Sequence, residues 1–154
     1  MTEYPDKLRQ LLEDFRWMTD RAERAEYLIE LADRLQPVPE HIATRPYPSE
    51  NHVDYCESDA YVWAEDREDG TLQFYFAVEN PQGLSARAIA AILDETLSGQ
   101  PLEQVAHVPD DIVLDIFGRN IAMGKGQGLM GIVARVRAAA QQRLAARQVP
   151  RDRE

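Results

Sequence analysis

The sequence of 154 residues contains a single cysteine, Cys56, and only three histidines. One thiol cannot form an internal disulfide, so the fold needs none, and this fits a reducing compartment. His41, His52 and His107 are too dispersed along the chain to predict a metal site, which needs ligands at tight spacing. The sequence also lacks a nucleophile elbow, a His-Glu-x-x-His motif and a dinucleotide fingerprint. It therefore predicts neither a bound metal nor a cofactor.

Long apolar runs are missing as well, and none approaches the length of a membrane-spanning helix. Residues 1–7 have no apolar core of the kind found in a signal peptide. We therefore expect no membrane partner and a cytoplasmic protein. The length and a hydrophobic content of 44% predict a single domain over residues 1–147, followed by a frayed tail over residues 148–154.

Basic residues are absent between Arg45 and Arg67, and the whole chain carries a formal net charge of −10. Six carboxylates make this stretch anionic: Glu50, Asp54, Glu57, Asp59, Glu65 and Asp66. A nucleic-acid-binding protein usually has a basic patch, so this charge pattern argues against a nucleic-acid partner. A protein that docks near Cys56 should offer a basic or neutral surface.

The spacing of apolar residues predicts helices at both ends of the chain and strands between them. The predicted helices cover residues 5–17, Asp20 to about Leu35, Ser85 to Gly99, short pieces starting at Pro101 and Pro109, and about Gln127 to Arg147. The predicted strands cover residues 52–55, 60–65 and 71–78. The predicted fold class is α+β, with two N-terminal helices, a small three-stranded antiparallel sheet, and a helical C-terminal half packed on one face.

The surroundings of Cys56 are polar. Asp54, Glu57, Ser58 and Asp59 are turn-forming residues, so we expect the thiol at a loop tip between two strands, where it can react. The three carboxylates should keep the thiol protonated in the free protein, and a docking partner would then activate it. An inert, buried cysteine is the alternative that the residues leave open.

A glycine-rich segment, residues 118–128, precedes the last predicted helix. Lys125 is followed by Gly126 rather than Ser or Thr, so the segment is not a P-loop. A flexible helix entry is favoured over an anion site, and Lys125 at this bend could face the Cys56 loop across the fold.

Three segments resemble the SufE family, which accepts persulfide sulfur from cysteine desulfurases during iron–sulfur cluster assembly. Residues 27–35 and the prolines after them are similar to the family's tyrosine-isoleucine-glutamate-leucine helix end. Residues 51–58 match a family pattern of Asn, Val, Gly, Cys, Gln and Ser, and residues 124–129 stand in place of the family's Ser-Arg-Ser-x-Gly-Leu. The likeness spans roughly residues 5 to 140 in matched order.

The resemblance implies that Cys56 accepts sulfur and that neighbouring side chains support it. The implied supporting residues are His52, Tyr55, Glu57, Ser58 and Lys125. The implied fold is SufE/IscU-like. The implied partners are a SufS-like cysteine desulfurase, which holds its own pyridoxal phosphate, and a SufB-like cluster scaffold. The resemblance implies no cofactor in this chain, a monomer or weak dimer, and no free-standing enzyme activity.

The chain departs from the family pattern at five positions. Tyr55 stands where Gly is usual, Glu57 replaces Gln, Tyr61 replaces Trp, Arg87 replaces a common Gly, and Lys125 replaces Arg. Loss of the glycine before Cys56 restricts the backbone of the loop. These changes leave open an alternative function, in which the protein is an adaptor that binds a desulfurase without carrying sulfur. A redox-sensing thiol is a weaker alternative, because the chain has no resolving cysteine.

Overall fold

The computed structural model describes residues 4–54 and 56–148, and these residues form six α-helices and one two-stranded antiparallel sheet. In chain order the elements are α1 (Asp6–Trp17), α2 (Arg21–Ala32), β1 (Ala60–Asp66), β2 (Leu72–Val78), α3 (Leu84–Leu97), α4 (Leu102–Val105), α5 (Ile112–Phe117) and α6 (Met123–Arg147). The α+β class is therefore confirmed. Most of the predicted tail, residues 149–154, lies outside the described residues.

The two N-terminal helices begin where their capping residues predict. Pro5 directly precedes α1, and the Asp20 side chain accepts a hydrogen bond of 2.9 Å from the backbone N–H of Ala22 at the start of α2. α2 ends at Ala32, short of the predicted Leu35. The chain must leave the helical conformation before Pro37, because the residue that precedes a proline disfavours it.

The predicted third strand, residues 52–55, is wrong. His52 forms only an isolated bridge with Tyr61 of β1. A 3-10 turn at Ser49–Asn51 precedes it and Asp54 begins the next turn, so too few extended residues remain for a strand. Tyr55, at the end of the predicted strand, lies outside the described residues. The other two strands pair as expected, with Ala60 opposite Val78 in the register.

The two faces of the sheet have different neighbours. Val62, Phe74 and Phe76 face the core, where they pack with α3 and α6. The opposite face is covered by the irregular connection of residues 36–50, from which Tyr47 packs on Trp63 with ring centroids 5.0 Å apart. The aromatic residues of the strands therefore serve packing on both faces.

The long helix α6 begins at Met123, before the predicted Gln127. Gly126 and Gly128 are buried within its first turns, so packing overrides the low helix propensity of glycine. Further along, Arg143 pairs with Asp66 at 2.8 Å, and Arg147 donates a hydrogen bond of 2.6 Å to the Gly70 carbonyl. These contacts fix the β1–β2 turn to α6. No helix among the described residues has the length and apolar character to cross a membrane.

Candidate functional site

Cys56 lies in a short loop that joins Val53 to the start of β1. The loop is closed at its base by a hydrogen bond of 2.8 Å from the Val53 N–H to the Ala60 carbonyl. Within it, the Asp59 N–H donates to the Cys56 carbonyl at 3.2 Å. Asp59 has a φ of 52°, in the left-handed region that aspartate tolerates better than most residues. The chain thus reverses direction directly after Cys56, as its turn-forming neighbours predict.

The thiol is buried rather than exposed at a loop tip, since Cys56 is only 8% exposed and packs at the edge of the core. It lines a small cavity of about 60 Å³. Three parts of the fold form the cavity: the loop itself, the start of α3, and the first turns of α6. The lining residues are Cys56, Glu57, Ser58, Gln82, Gly83, Leu84, Ser85, Ala86, Gly124, Lys125, Gly128 and Leu129.

Two glycines let the loop pack closely on its neighbours. A Cβ atom on Gly83, just before α3, would lie 2.8 Å from both Cβ and Oγ of Ser58. A Cβ atom on Gly131 of α6 would lie 3.1 Å from Cγ1 of Val53. Both distances are shorter than ordinary van der Waals contact, so the loop fits between α3 and α6 because these side chains are absent.

Backbone and side-chain hydrogen bonds hold the loop from both sides. After β2, the Asn80 N–H donates to the Ser58 carbonyl at 3.1 Å. On the other side, Arg135 of α6 donates to the His52 carbonyl at 2.9 Å and to the Glu50 carbonyl at 2.6 Å. Hydrogen bonds from a charged donor are stronger than neutral ones, so Arg135 is a principal anchor of the segment before Cys56.

His52 lies at the base of the loop and is not among the residues that line the cavity. Its Nε2 is 3.1 Å from Oδ1 of Asp59, and its ring packs on Tyr61 with centroids 5.1 Å apart. The side chain therefore joins the two ends of the loop instead of contacting the space beside the thiol.

The structure brings four of the predicted site residues together and places His52 apart from them. Glu57, Ser58 and Lys125 line the cavity with Cys56, whereas His52 lies at the loop base. The predicted supporting residue Tyr55 lies outside the described residues.

Two further positions at which the chain departs from the family pattern lie away from the cavity lining. Tyr61 packs on the outer face of the sheet against Tyr47, with ring centroids 5.3 Å apart. Arg87 of α3 donates a hydrogen bond of 2.9 Å to the Pro81 carbonyl, in the connection that leads to Gly83. Neither side chain reaches the cavity, so we assign them packing and loop support.

The electrostatics of the cavity are mixed. Glu57 and Lys125 are both solvent-exposed and bring opposite charges to its rim. The cavity also borders the first turns of α3 and α6, and the N-terminal end of an α-helix carries partial positive charge. Lys125 and these helix ends therefore bring positive charge to the cavity that Cys56 lines. Across residues 4–54 and 56–148, no three His, Cys, Asp or Glu side chains come together as metal ligands.

The sequence does not indicate that Gly83, Gly131 and Arg135 belong to the site. Each acts on the loop from a distant part of the chain, and Arg135 is 83 residues from the carbonyl of His52 that it binds. A glycine before a helix and an arginine on a helix are both common, so no local pattern marks them as parts of the site.

The chain was compared with known proteins, and the matches include the Cys56 loop and the cavity beside it. The SufE family model, described as an Fe-S metabolism associated domain, matches residues 9–140. An uncharacterized SufE-like protein of Rhizobium meliloti is 28% identical over 151 residues, which cover 90% of this chain and 98% of that protein. A second uncharacterized SufE-like protein, from Rhizobium etli, is 27% identical over 141 residues, with coverage of 90% and 93%.

A solved structure has the same fold. It is the solution structure of a hypothetical protein from Thermus thermophilus, with a TM-score of 0.70 and 28% sequence identity. The match covers 92% of this chain and 98% of that one. These findings confirm the resemblance that the three sequence segments suggested. The chain belongs to the SufE family, whose domain is associated with Fe–S metabolism.

Proposed function

We propose that this protein is a sulfur carrier in which Cys56 takes sulfur from the persulfide of a SufS-like cysteine desulfurase and passes it to a SufB-like cluster scaffold. The observation that carries the proposal is that the one thiol of the chain lines a small walled cavity together with Lys125. Membership of a family associated with Fe–S metabolism supports the choice of sulfur as the cargo.

The transfer is a thiol–persulfide exchange without net oxidation or reduction. Cys56 first loses its proton, and the resulting thiolate attacks the outer sulfur of the desulfurase persulfide. A new S–S bond forms on Cys56 as the S–S bond on the desulfurase breaks, and the desulfurase cysteine leaves as a thiolate. Cys56 then carries the persulfide, and the same exchange with a scaffold cysteine returns it to a thiol.

The cavity supports the carrier role in two ways. A volume of about 60 Å³ exceeds what one ordered water needs, so it has room for one additional sulfur atom beside Cys56. Lys125 and the ends of α3 and α6 offset the charge of a persulfide anion held there. Shielding of this kind would keep the bound sulfur from other thiols during transfer between proteins.

Access to the thiol requires the partner. Because Cys56 is 8% exposed, a persulfide on another protein reaches it only when the loop opens. The exposed carboxylates Asp54, Glu57 and Asp59 surround the thiol in sequence, so a basic docking surface would both attract the loop and favour the thiolate. We expect the protein to work in a reducing compartment such as the cytoplasm, where a free thiol persists.

Intact-mass measurement after incubation with the desulfurase and free cysteine tests the proposal. We expect the wild-type protein to gain one sulfur atom and Cys56→Ala to gain none. Ser49→Ala is the matched control, because it removes an exposed hydroxyl outside the cavity and keeps the thiol, and it should gain sulfur like the wild-type protein. Absence of added sulfur on the wild-type protein while the desulfurase turns over would refute the carrier role.

A second candidate function is the adaptor that binds a desulfurase without carrying sulfur. The burial of Cys56 in the free protein favours it, because an inert core cysteine would have the same exposure. Maleimide labelling of Cys56 separates the two functions: for a carrier, labelling should rise when the desulfurase is added. Full stimulation of the desulfurase by Cys56→Ala would instead support the adaptor.

A further inference from the structure

A second, larger depression of about 630 Å³ lies on the other side of the first turns of α6. Its floor is mainly apolar and is formed by side chains of α5, the α5–α6 connection and α6, among them Leu114, Ile121, Met123 and Met130. Two carboxylates, Asp54 and Asp110, complete its lining. We call this depression the α5–α6 groove.

One apolar side chain of the groove, that of Met123, is largely exposed, and those of Leu114, Ile121 and Met130 are partly exposed. Met123 is 88% exposed, the highest value among the exposed large hydrophobic side chains of the described residues. A methionine side chain is flexible and polarisable, and it adapts to the shape of a partner surface. Exposed apolar surface next to polar residues is typical of a site for binding another protein.

The groove and the Cys56 cavity share one structural support. Met123, Gly126 and Met130 of α6 line the groove, whereas Gly124, Lys125 and Leu129 line the cavity. Asp54, from the loop that carries Cys56, lies in the groove lining. A partner seated in the groove would therefore contact the Cys56 loop at the same time.

The charged side chains of the α5–α6 groove indicate which kind of partner fits it. Asp110 is neutralised by Arg137 of α6, which leaves Asp54 as an exposed carboxylate at the groove. Asp54 belongs to the stretch between Arg45 and Arg67 that contains no basic residue. Charge complementarity thus favours an apolar side chain flanked by a lysine or arginine.

We propose that the α5–α6 groove is the docking site for a basic segment of the desulfurase, with an apolar side chain of that segment seated against Met123 and Met130. This inference rests on the proposed function for the identity of the partner. Docking there would place the donor protein against the loop whose opening exposes Cys56.

The test is a direct binding measurement between this protein and the desulfurase without free cysteine, so that no sulfur moves. Met123→Ser removes the exposed apolar contact, and Ala134→Gln fills the groove with a residue of good helix propensity. We expect each to raise Kd by about fivefold or more, which is the effect of losing one important interface side chain. When either groove variant is mixed with a saturating concentration of the desulfurase and with free cysteine, Cys56 should still gain sulfur.

Matched controls separate docking from general effects. Ile29→Ser removes an exposed apolar side chain on α2, and Ala146→Gln adds the same bulk at an exposed position of α6 far along the helix. Both should leave Kd within about twofold of wild type, because neither lies in the groove. Asp54→Asn should weaken binding at low salt and flatten its dependence on salt concentration.

Three results would overturn the inference. They are no binding of the desulfurase by the wild-type protein, wild-type affinity for both groove variants, and equal weakening by the groove variants and the controls. Circular dichroism and thermal unfolding of each variant exclude misfolding as the cause of a lost affinity. Failure of the proposed function gives a different result, which is the absence of added sulfur on Cys56 even though the two proteins bind.

Discussion

At the scale of single residues, the environment of Cys56 depends on side chains that are absent as much as on those present. Gly83 and Gly131 allow the loop to approach the start of α3 and the side of α6 closely. Because protein interiors are close-packed, an extra methyl group at either glycine would force a local shift.

Gly83→Ala should therefore open the Cys56 loop. The new Cβ would meet Ser58 at 2.8 Å and Val78 at 2.9 Å, so the loop has to move away from α3. We expect faster alkylation of Cys56 by iodoacetamide and a loss of about 1–3 kcal/mol in the free energy of unfolding.

Gly124→Ala is the control for this substitution. It also borders the cavity, but a Cβ on Gly124 has no neighbour within 4 Å. Its alkylation rate should match that of the wild-type protein. A normal alkylation rate for Gly83→Ala would mean that Gly83 does not restrain the loop.

A pair of charged residues near the loop gives a prediction about pH. Arg45 donates two hydrogen bonds to Glu79, at 2.8 Å and 3.0 Å, and these bonds lower the pKa of the Glu79 carboxyl below its ordinary value of 4.5. A carboxyl with a lowered pKa in the folded state contributes stability above its unfolded pKa. That contribution is lost as the pH falls through the folded pKa.

Arg45→Ala should accordingly destabilise the protein at neutral pH and leave its stability less dependent on acidification below pH 4.5. Urea unfolding at a series of pH values measures the effect, and Glu79→Gln should reproduce it. Parallel pH profiles for Arg45→Ala and the wild-type protein would show that the pair contributes nothing.

At the scale of elements, one arginine joins three helices. Arg24 of α2 donates to the carbonyls of Phe15 and Met18 at the end of α1, and to those of Asp115 and Ile116 in α5. Its guanidinium also lies 5.4 Å from the centre of the Phe15 ring. Carbonyls at helix ends lack partners within the helix, and a cation satisfies them both by hydrogen bonding and by charge.

Arg24→Ala should lower the free energy of unfolding by about 2–4 kcal/mol, because several partly buried carbonyls lose a charged donor. Arg21→Ala is the control, since Arg21 is an exposed residue of the same helix. It should change the stability by less than about 0.5 kcal/mol. Equal urea midpoints for the two variants would contradict the role given to Arg24.

The elements also show what the sequence can predict. Helix positions, the pairing of β1 with β2 and the turn after Cys56 follow from local spacing and turn-forming residues such as Asp54 and Asp59. Short-range alternation predicts a third strand, but a strand needs a partner along its length. His52 and Val53 have that partner only until the chain turns at Asp54.

The candidate site, like the fold, can be predicted from the sequence only in part. Cys56, Ser58 and Lys125 can be named from the sequence because they belong to recognisable segments, and the structure places them around one cavity. The burial of the thiol cannot be predicted from its acidic neighbours, because it results from packing against α3 and α6. Gly83, Gly131 and Arg135 act through contacts between distant parts of the chain, which a single sequence does not reveal.

At the scale of the whole molecule, one continuous core includes residues of the N-terminal helices, both strands and the C-terminal helices. Phe15 of α1, Phe74 of β2, Ile92 of α3 and Val133 of α6 belong to the same buried cluster. A domain with a single core of this kind usually unfolds in one cooperative step.

Urea unfolding should therefore give coincident transitions by circular dichroism and by tryptophan fluorescence. Trp17→Phe makes the fluorescence report on Trp63 alone, and Trp17 is 80% exposed, so its replacement should cost little stability. Separate midpoints for the helical signal and for Trp63 would show instead that the helices and the sheet unfold independently.

The first turns of α6 have a consequence for how such a protein can diversify. Side chains on opposite sides of a helix change independently, and here one side borders the Cys56 cavity while the other borders the α5–α6 groove. Mutations at positions such as Met123 and Met130 can alter the groove and leave the cavity walls as they are. Descendants of one ancestral chain could therefore acquire new associations while the surroundings of Cys56 stay the same.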